Sequence, residues 1–137
     1  MDWHFTEHFT VRDYECDLQG IVNNAEYFHY YEHTRNTFLK SSSLSLSELH
    51  NKGIDPVVIR AEIDYKYPLR ADDTFDCRLR MERESDLKLM FIQEIALVPS
   101  GRLASRARIT VVFLKNGIPS MPDEALDMIR NYIAWQT

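Results

Sequence analysis

Residues 11–39 read VRDYECDLQGIVNNAEYFHYYEHTRNTFL. A strand-like run gives way here to a short acidic turn, Asp17-Leu18-Gln19-Gly20-Ile21-Val22, after which Asn23-Asn24-Ala25 opens a helix with Glu26 in its first turn. Asn is a good N-cap because its side-chain oxygen accepts an orphan backbone N–H, and an acid in the first turn faces the positive end of the helix dipole. From about Asn24 to Leu39, Tyr27, Phe28, Tyr31, Thr34 and Phe38 recur at spacings of three and four, while Glu26, His29, His33, Asn36 and Lys40 share the opposite side. The expectation is a long helix, about four turns, whose aromatic face is buried on a sheet.

The flanking sequence supplies that sheet. Trp3, Phe5, Phe9 and Val11 are apolar at every other position, interrupted at Glu7, which is the period of a strand with one buried face. Ser41-Ser42-Ser43 ends the long helix, and Ser45 with Glu48 forms a capping box for a short helix to His50, stopped by Gly53. Between Val57 and Tyr67, Val57, Ile59, Ala61, Ile63, Tyr65 and Tyr67 alternate with polar residues, predicting a long half-buried strand. After a turn at Pro68 and Ala71-Asp72-Asp73, Phe75, Cys77, Leu79 and Met81 alternate against Asp76, Arg78, Arg80 and Glu82. Leu87 to Val98 is apolar on both sides in its middle, which places it centrally or at a subunit contact. Pro99-Ser100-Gly101 turns the chain into a last strand, Leu103 to Leu114. Pro122 at a first helical position, Asp123 and Glu124 in the first turn, and Leu126, Ile129 and Ile133 on one face predict a closing helix. Short links between strands imply antiparallel neighbours in succession, so the fold class expected is α+β, with five antiparallel strands, one long helix and a C-terminal helix.

The 137 residues suffice for one core, and residues 1–137 read as a single domain. A formal charge of -5 argues against a nucleic-acid partner, since phosphate binding leaves a basic surplus. No apolar run approaches the roughly 20 residues that span a bilayer, and MDWHFTEHF lacks the basic-then-apolar order of a signal peptide; the expectation is a cytoplasmic protein with no membrane partner. Cys16 and Cys77 are too few for a disulfide framework. Cys16 sits beside Asp17, but a carboxylate neighbour raises a thiol's pKa, which counts against a nucleophile there. His29 to His33, HYYEH, matches an inverted zinc-protease pattern, yet both histidines are on the polar side of the helix and read as a solvated face.

The letters Asp17, Gly20, Ile21-Val22, Asn23-Asn24-Ala25 and Tyr27, running into Glu32 and Arg35, resemble the signature of the hotdog-fold acyl-CoA thioesterases. The group in question contains 4-hydroxybenzoyl-CoA thioesterase and its YbgC-like and FadM-like relatives. The resemblance continues through Asp55-Pro56-Val57-Val58 and Tyr67-Pro68…Asp73 and covers nearly the whole chain. It implies a hotdog fold, a homo-oligomer (a dimer, often a homotetramer) and an acyl-CoA substrate. It also implies that Asp17 is the catalytic carboxylate, as nucleophile or general base, and that the amide of Asn24 is the oxyanion donor. Gly20, Ile21, Val22, Asn23, Tyr27 and Phe28 then contact substrate, with Tyr27 and Phe28 walling the acyl pocket. The residues agree with that chemistry, since helix N-terminal amides near Asn23 to Ala25 lack intrahelical partners and can polarise a carbonyl. The chain departs from its relatives in carrying Asn24 where YbgC-like members have His and Ile21 where many FadM-like members have His, so no imidazole base accompanies Asp17. Arg60, Lys66, Lys88, Arg102 and Arg106 are available for the phosphates of coenzyme A. No metal and no redox cofactor are implied. The alternatives are a non-catalytic acyl-CoA binding module and a thioesterase acting on acyl-carrier protein; an enoyl-CoA hydratase ranks below both, for want of a suitably placed Asp and downstream His.

Overall fold

The computed structural model describes residues 2–42 and 44–133. In chain order it contains β1 (Phe5–Thr10), a 3-10 turn (Asp13–Glu15), α1 (Glu26–Ser41), α2 (Leu46–Asn51), β2 (Ile54–Tyr65), β3 (Thr74–Arg83), β4 (Lys88–Val98), β5 (Leu103–Lys115), β6 (Ile118–Ser120) and α3 (Asp123–Tyr132). The five long strands form one antiparallel sheet in the order β1-β3-β4-β5-β2, and the short β6, which the sequence did not announce, pairs with β5. This is the hotdog arrangement of a long helix against an antiparallel sheet. The doubly apolar β4 is its middle strand, as its composition predicts.

The helix is seated by its aromatic residues. Tyr27, Tyr30, Tyr31, Thr34, Phe38 and Leu39 are buried on α1, with ring contacts from Phe38 to Phe5 at 5.8 Å and from Tyr30 to Phe75 at 4.9 Å between centroids. Phe28 is a correction to the expected stripe: it is 47% exposed, and Tyr30 takes its place in the core. The cause is helix geometry, because one residue beyond Tyr27 the side chain has turned by about 100° and lies on the flank of α1.

A polar chain crosses this interior. Arg35 donates to Gln93 Oε1 at 3.0 Å, and Gln93 Nε2 donates to the carbonyl of Tyr31 at 3.1 Å. Tyr31 donates in turn to Ser105 Oγ at 2.7 Å, and Ser105 to the carbonyl of Asp64 at 2.8 Å. Arg35, Gln93, Tyr31 and Ser105 thereby each have a partner, and α1 is tied to β4, β5 and β2 at once.

Two other expectations change. Of the four long strands after α1, β3, β4 and β5 follow one another in succession as expected, but β2 is displaced to the edge beyond β5, and β3 lies between β1 and β4. Residues 66–73 cross the sheet instead of turning back, held by Val22 N–H to Leu69 O at 2.8 Å and Asp72 N–H to Val11 O at 3.0 Å. Nor does β2 bury one alternating face. Its register jumps between Val58 and Arg60, so Ile59 is the extra residue of a bulge that reverses the alternation: Val57 faces Val112, whereas Ala61 and Ile63 stand opposite Ile109 and Ala107. On this edge Val57, Val58, Ile59 and Tyr65 are exposed.

The closing helix forms one residue later than expected. Pro122 is its N-cap, and the buried stripe is Ala125, Met128 and Ile129, with Leu126 and Ile133 only half-buried.

Candidate active site

The 16–22 loop is closed by its own backbone. Asp17 N–H donates to Ile21 O at 2.9 Å, Gly20 N–H to Asp17 O at 3.0 Å, and Gln19 N–H to Asp17 Oδ1 at 2.8 Å. The carboxylate therefore builds the turn with one oxygen, and its other oxygen takes no hydrogen bond from a described residue. Gly20 supplies the φ of +79° that this turn requires. Cys16 bridges Val22 and Ile21 bridges Arg70, which docks the loop onto the crossing segment 66–73.

The helix start is pinned beside this loop. Asn23 Oδ1 accepts from Ala25 N–H at 2.9 Å and its carbonyl accepts from Glu26 N–H at 2.9 Å. Asn23 thus closes a turn ahead of the helix; the N-cap is Ala25, with no side-chain cap, in place of the expected Asn cap, and the regular helix begins at Glu26, two residues after Asn24. Among the described residues the amide of Asn24 has no acceptor. The carbonyl of Asn24 is held from the other side by the Tyr65 hydroxyl at 3.0 Å, and the Tyr65 and Tyr27 rings meet edge to face at 4.9 Å.

These pieces enclose a cleft of about 440 Å³ lined by Asp17, Ile21, Val22, Asn24 and Tyr27 from the loop and helix, and by Tyr65, Lys66, Tyr67 and Pro68 from the end of β2. An exposed carboxylate and a residue whose amide lacks an acceptor thus line one side, and three rings, Tyr65, Tyr67 and Pro68, line the other. Burial raises the Tyr27 and Tyr65 phenols above their ordinary range, so both are neutral donors at physiological pH. Such an arrangement accommodates an acyl group and a carbonyl whose oxygen develops charge.

Comparison with known proteins agrees. A family model described as the thioesterase-like superfamily matches residues 11–129. The chain belongs to that superfamily. Its reaction class is therefore thioester hydrolysis. The thioesterase is 33% identical over 127 residues to the "Putative esterase" of Aquifex aeolicus, an alignment covering 88% of this chain and 94% of that one. It is 31% identical over 103 residues to the long-chain acyl-CoA thioesterase FadM of Escherichia coli, covering 74% and 76% respectively. Its fold also matches the 1,4-dihydroxy-2-naphthoyl-CoA thioesterase Slr0204 of Synechocystis, with a TM-score of 0.86 at 21% identity over 93% of this chain and 96% of that one.

Of the residues singled out in the sequence, Asp17, Ile21, Val22, Asn24 and Tyr27 line this thioesterase's cleft, whereas Gly20 and Asn23, which close the two adjoining turns, and the exposed Phe28 are not among its lining residues. Tyr65, Tyr67 and Pro68 were not identified as site residues. Only the Tyr67-Pro68 letters of the resemblance pointed that way. Among the basic candidates, Lys66 lines the cleft, and the Arg102 guanidinium stacks on the Tyr67 ring at 4.3 Å. Arg106 is paired with Glu94 at 2.8 Å and Arg60 with Glu62 at 3.0 Å. His29 bonds Glu26 at 3.0 Å and His33 packs on Phe9, and the described residues contain no His/Cys/Asp/Glu group arranged for a metal. No helix among them is long and apolar enough to cross a membrane.

Proposed function

We propose that this protein hydrolyses an acyl-CoA to the free acid and CoA, in the cytoplasm, with Asp17 as the catalytic carboxylate and the Asn24 amide as oxyanion donor. The observation that carries the reading is the convergence in one cleft of a carboxylate with an uncommitted oxygen and an N–H without an acceptor, both at the start of α1. As the thioester carbon becomes tetrahedral, its oxygen gains negative charge, which the amide and the positive end of the helix dipole stabilise. In one route Asp17 attacks the carbonyl carbon, the C–S bond breaks, CoA leaves as a thiolate, and water then hydrolyses the mixed anhydride to release the acid and restore Asp17. In the other route Asp17 removes a proton from the water that attacks the same carbon. A thiolate is a good enough leaving group that neither route needs an acid, which suits a site without an imidazole. Ile21, Val22 and Tyr27 contact the acyl portion, with Tyr65 and Tyr67 opposite, while Lys66 and Arg102 stand where a phosphate-bearing arm would enter.

The deciding experiment is thiol release from short, long and aryl acyl-CoAs, with matched acyl-carrier-protein esters alongside, comparing wild type with Asp17→Asn. The Asn side chain retains the oxygen that closes the turn, so the variant isolates the chemistry from the fold. The expected outcome is a loss of about 100-fold or more in kcat with an unchanged melting temperature. Equal rates for the two proteins would reduce Asp17 to a turn residue. Faster cleavage of the carrier-protein esters would change the donor. Single turnover in 18O-labelled water then separates the routes, since only the anhydride route leaves label in Asp17.

The reading extends to a homo-oligomer built through the exposed β2 edge. Apolar side chains and unpaired backbone groups coincide along that strand, whose far end lines the cleft, and a dimer, or a tetramer made of two dimers, would cover them.

A further inference from the structure

Ser105 stands where the rest of its row is apolar. It shares the buried face of β5 with Ala107, Ile109, Val111 and Phe113. A hydroxyl withdrawn from water is costly unless it is hydrogen-bonded, and here two such groups bond in series. The fully buried Tyr31 donates to Ser105 Oγ at 2.7 Å, and the equally buried Ser105 donates to the carbonyl of Asp64 at 2.8 Å. Burial lifts the Tyr31 phenol above its ordinary range, which keeps it a neutral donor. The series ends where β2 leaves the sheet. Its pairing with β5 stops at Tyr65 and Ser105, and the N–H groups of Lys66 and Tyr67 then share the carbonyl of Ala104, at 2.8 and 3.1 Å.

Asp64 and Tyr65 are thereby held from one face of α1, on which Tyr27 and Tyr31 lie one turn apart. The Tyr27 ring meets the Tyr65 ring at 4.9 Å, and Tyr31 reaches Asp64 through Ser105. The Tyr65 hydroxyl in turn donates to the carbonyl of Asn24 at 3.0 Å. We infer that Ser105, with Tyr31 behind it, is a positioning residue for thioester hydrolysis: by fixing Asp64 it sets the Tyr65 hydroxyl, and that hydroxyl holds Asn24 where its amide meets the developing oxyanion. Neither Ser105 nor Tyr31 lines the cleft, so their effect on the rate passes through Tyr65 and Asn24. The inference rests on the oxyanion role proposed for the Asn24 amide and is independent of the route Asp17 takes.

Steady-state kinetics and amide NMR of the full chain test this together, on Ser105→Ala, Tyr65→Phe and the double variant. Ser105→Ala is expected to move the Asn24 amide resonance and to lower kcat on the best-cleaved acyl-CoA by about fivefold, the scale of one lost hydrogen bond. KM should stay within about twofold, because the amide acts on the transition state and not on the bound ester. The double variant should lose no more rate than Tyr65→Phe alone, since both changes release the same segment. A merely structural hydroxyl would lower the melting temperature and leave the Asn24 resonance in place. That result would overturn the positioning role alone, and so would rate losses that multiply in the double variant. A resonance that moves while kcat stays would overturn both the positioning role and the oxyanion role of Asn24 on which it rests. Should Ser105→Ala fail to fold, Tyr31→Phe takes its place. A moved Asn24 resonance with a lowered kcat, and no further loss on adding Tyr65→Phe, supports the proposal there, and an unmoved resonance refutes it.

Discussion

Tyr65 shows how much a single side chain at the end of a strand can decide. Its hydroxyl holds the carbonyl of Asn24 and its ring meets Tyr27, so the last residue of β2 fixes the geometry of the helix start 41 positions earlier in the chain. Tyr65→Phe removes that hydrogen bond and leaves the ring. Stability should fall by about 1 kcal/mol, read as a shift in the urea midpoint, while kcat/KM for the best acyl-CoA falls several-fold because the Asn24 segment loosens. An unchanged kcat/KM would restrict Tyr65 to packing. At this scale the sequence was legible where chemistry is local. Asp17, Gly20 and Asn23 build two turns from neighbours within a few residues, and an acidic turn leading into a helix is what those letters predict. Tyr65 was not legible, because in an alternating strand a tyrosine that donates across the fold reads the same as one that packs in the core.

At the scale of the element, periodicity identified each long helix and strand but not always the phase. α3 is the plainest case: Leu126, Ile129 and Ile133 form an apolar line, yet the buried residues are Ala125, Met128 and Ile129, with Tyr132 packing on Phe38 at 5.0 Å. Ile129→Ala should therefore cost 2–5 kcal/mol, in the range of a large-to-small core change, and Leu126→Ala distinctly less, as measured by chemical denaturation of the two variants. Similar losses in both would place the buried face between them. β2 fails in the same way for a different reason, since a bulge at Ile59 inserts one residue and reverses every side chain beyond it. A period-two pattern carries no mark of such an insertion, because apolar residues continue on both sides of it.

For the whole molecule, the exposed β2 edge is the feature that most constrains behaviour in solution. Ile59 is 52% exposed at the bulge, with Val57 and Val58 beside it. Ile59→Lys should shift the protein toward monomer in light scattering coupled to size-exclusion chromatography and lower thioesterase activity with it, the cleft being lined by the other end of the same strand. A wild type that elutes as monomer would remove the interface. The amino-acid sequence by itself determined the α+β class, the central place of β4, the long aromatic helix and the acidic turn at its start, because each of these follows from short-range periodicity and turn chemistry, and the resemblance of its letters to a known family implied the hotdog form of that class. The tertiary structure decided which strands are neighbours, which face of β2 and α3 is buried, and that Tyr65 to Pro68 wall the cleft opposite Asp17. Those outcomes depend on the crossing of residues 66–73 and on a register between β2 and β5, and contacts between residues so far apart leave no local pattern to read.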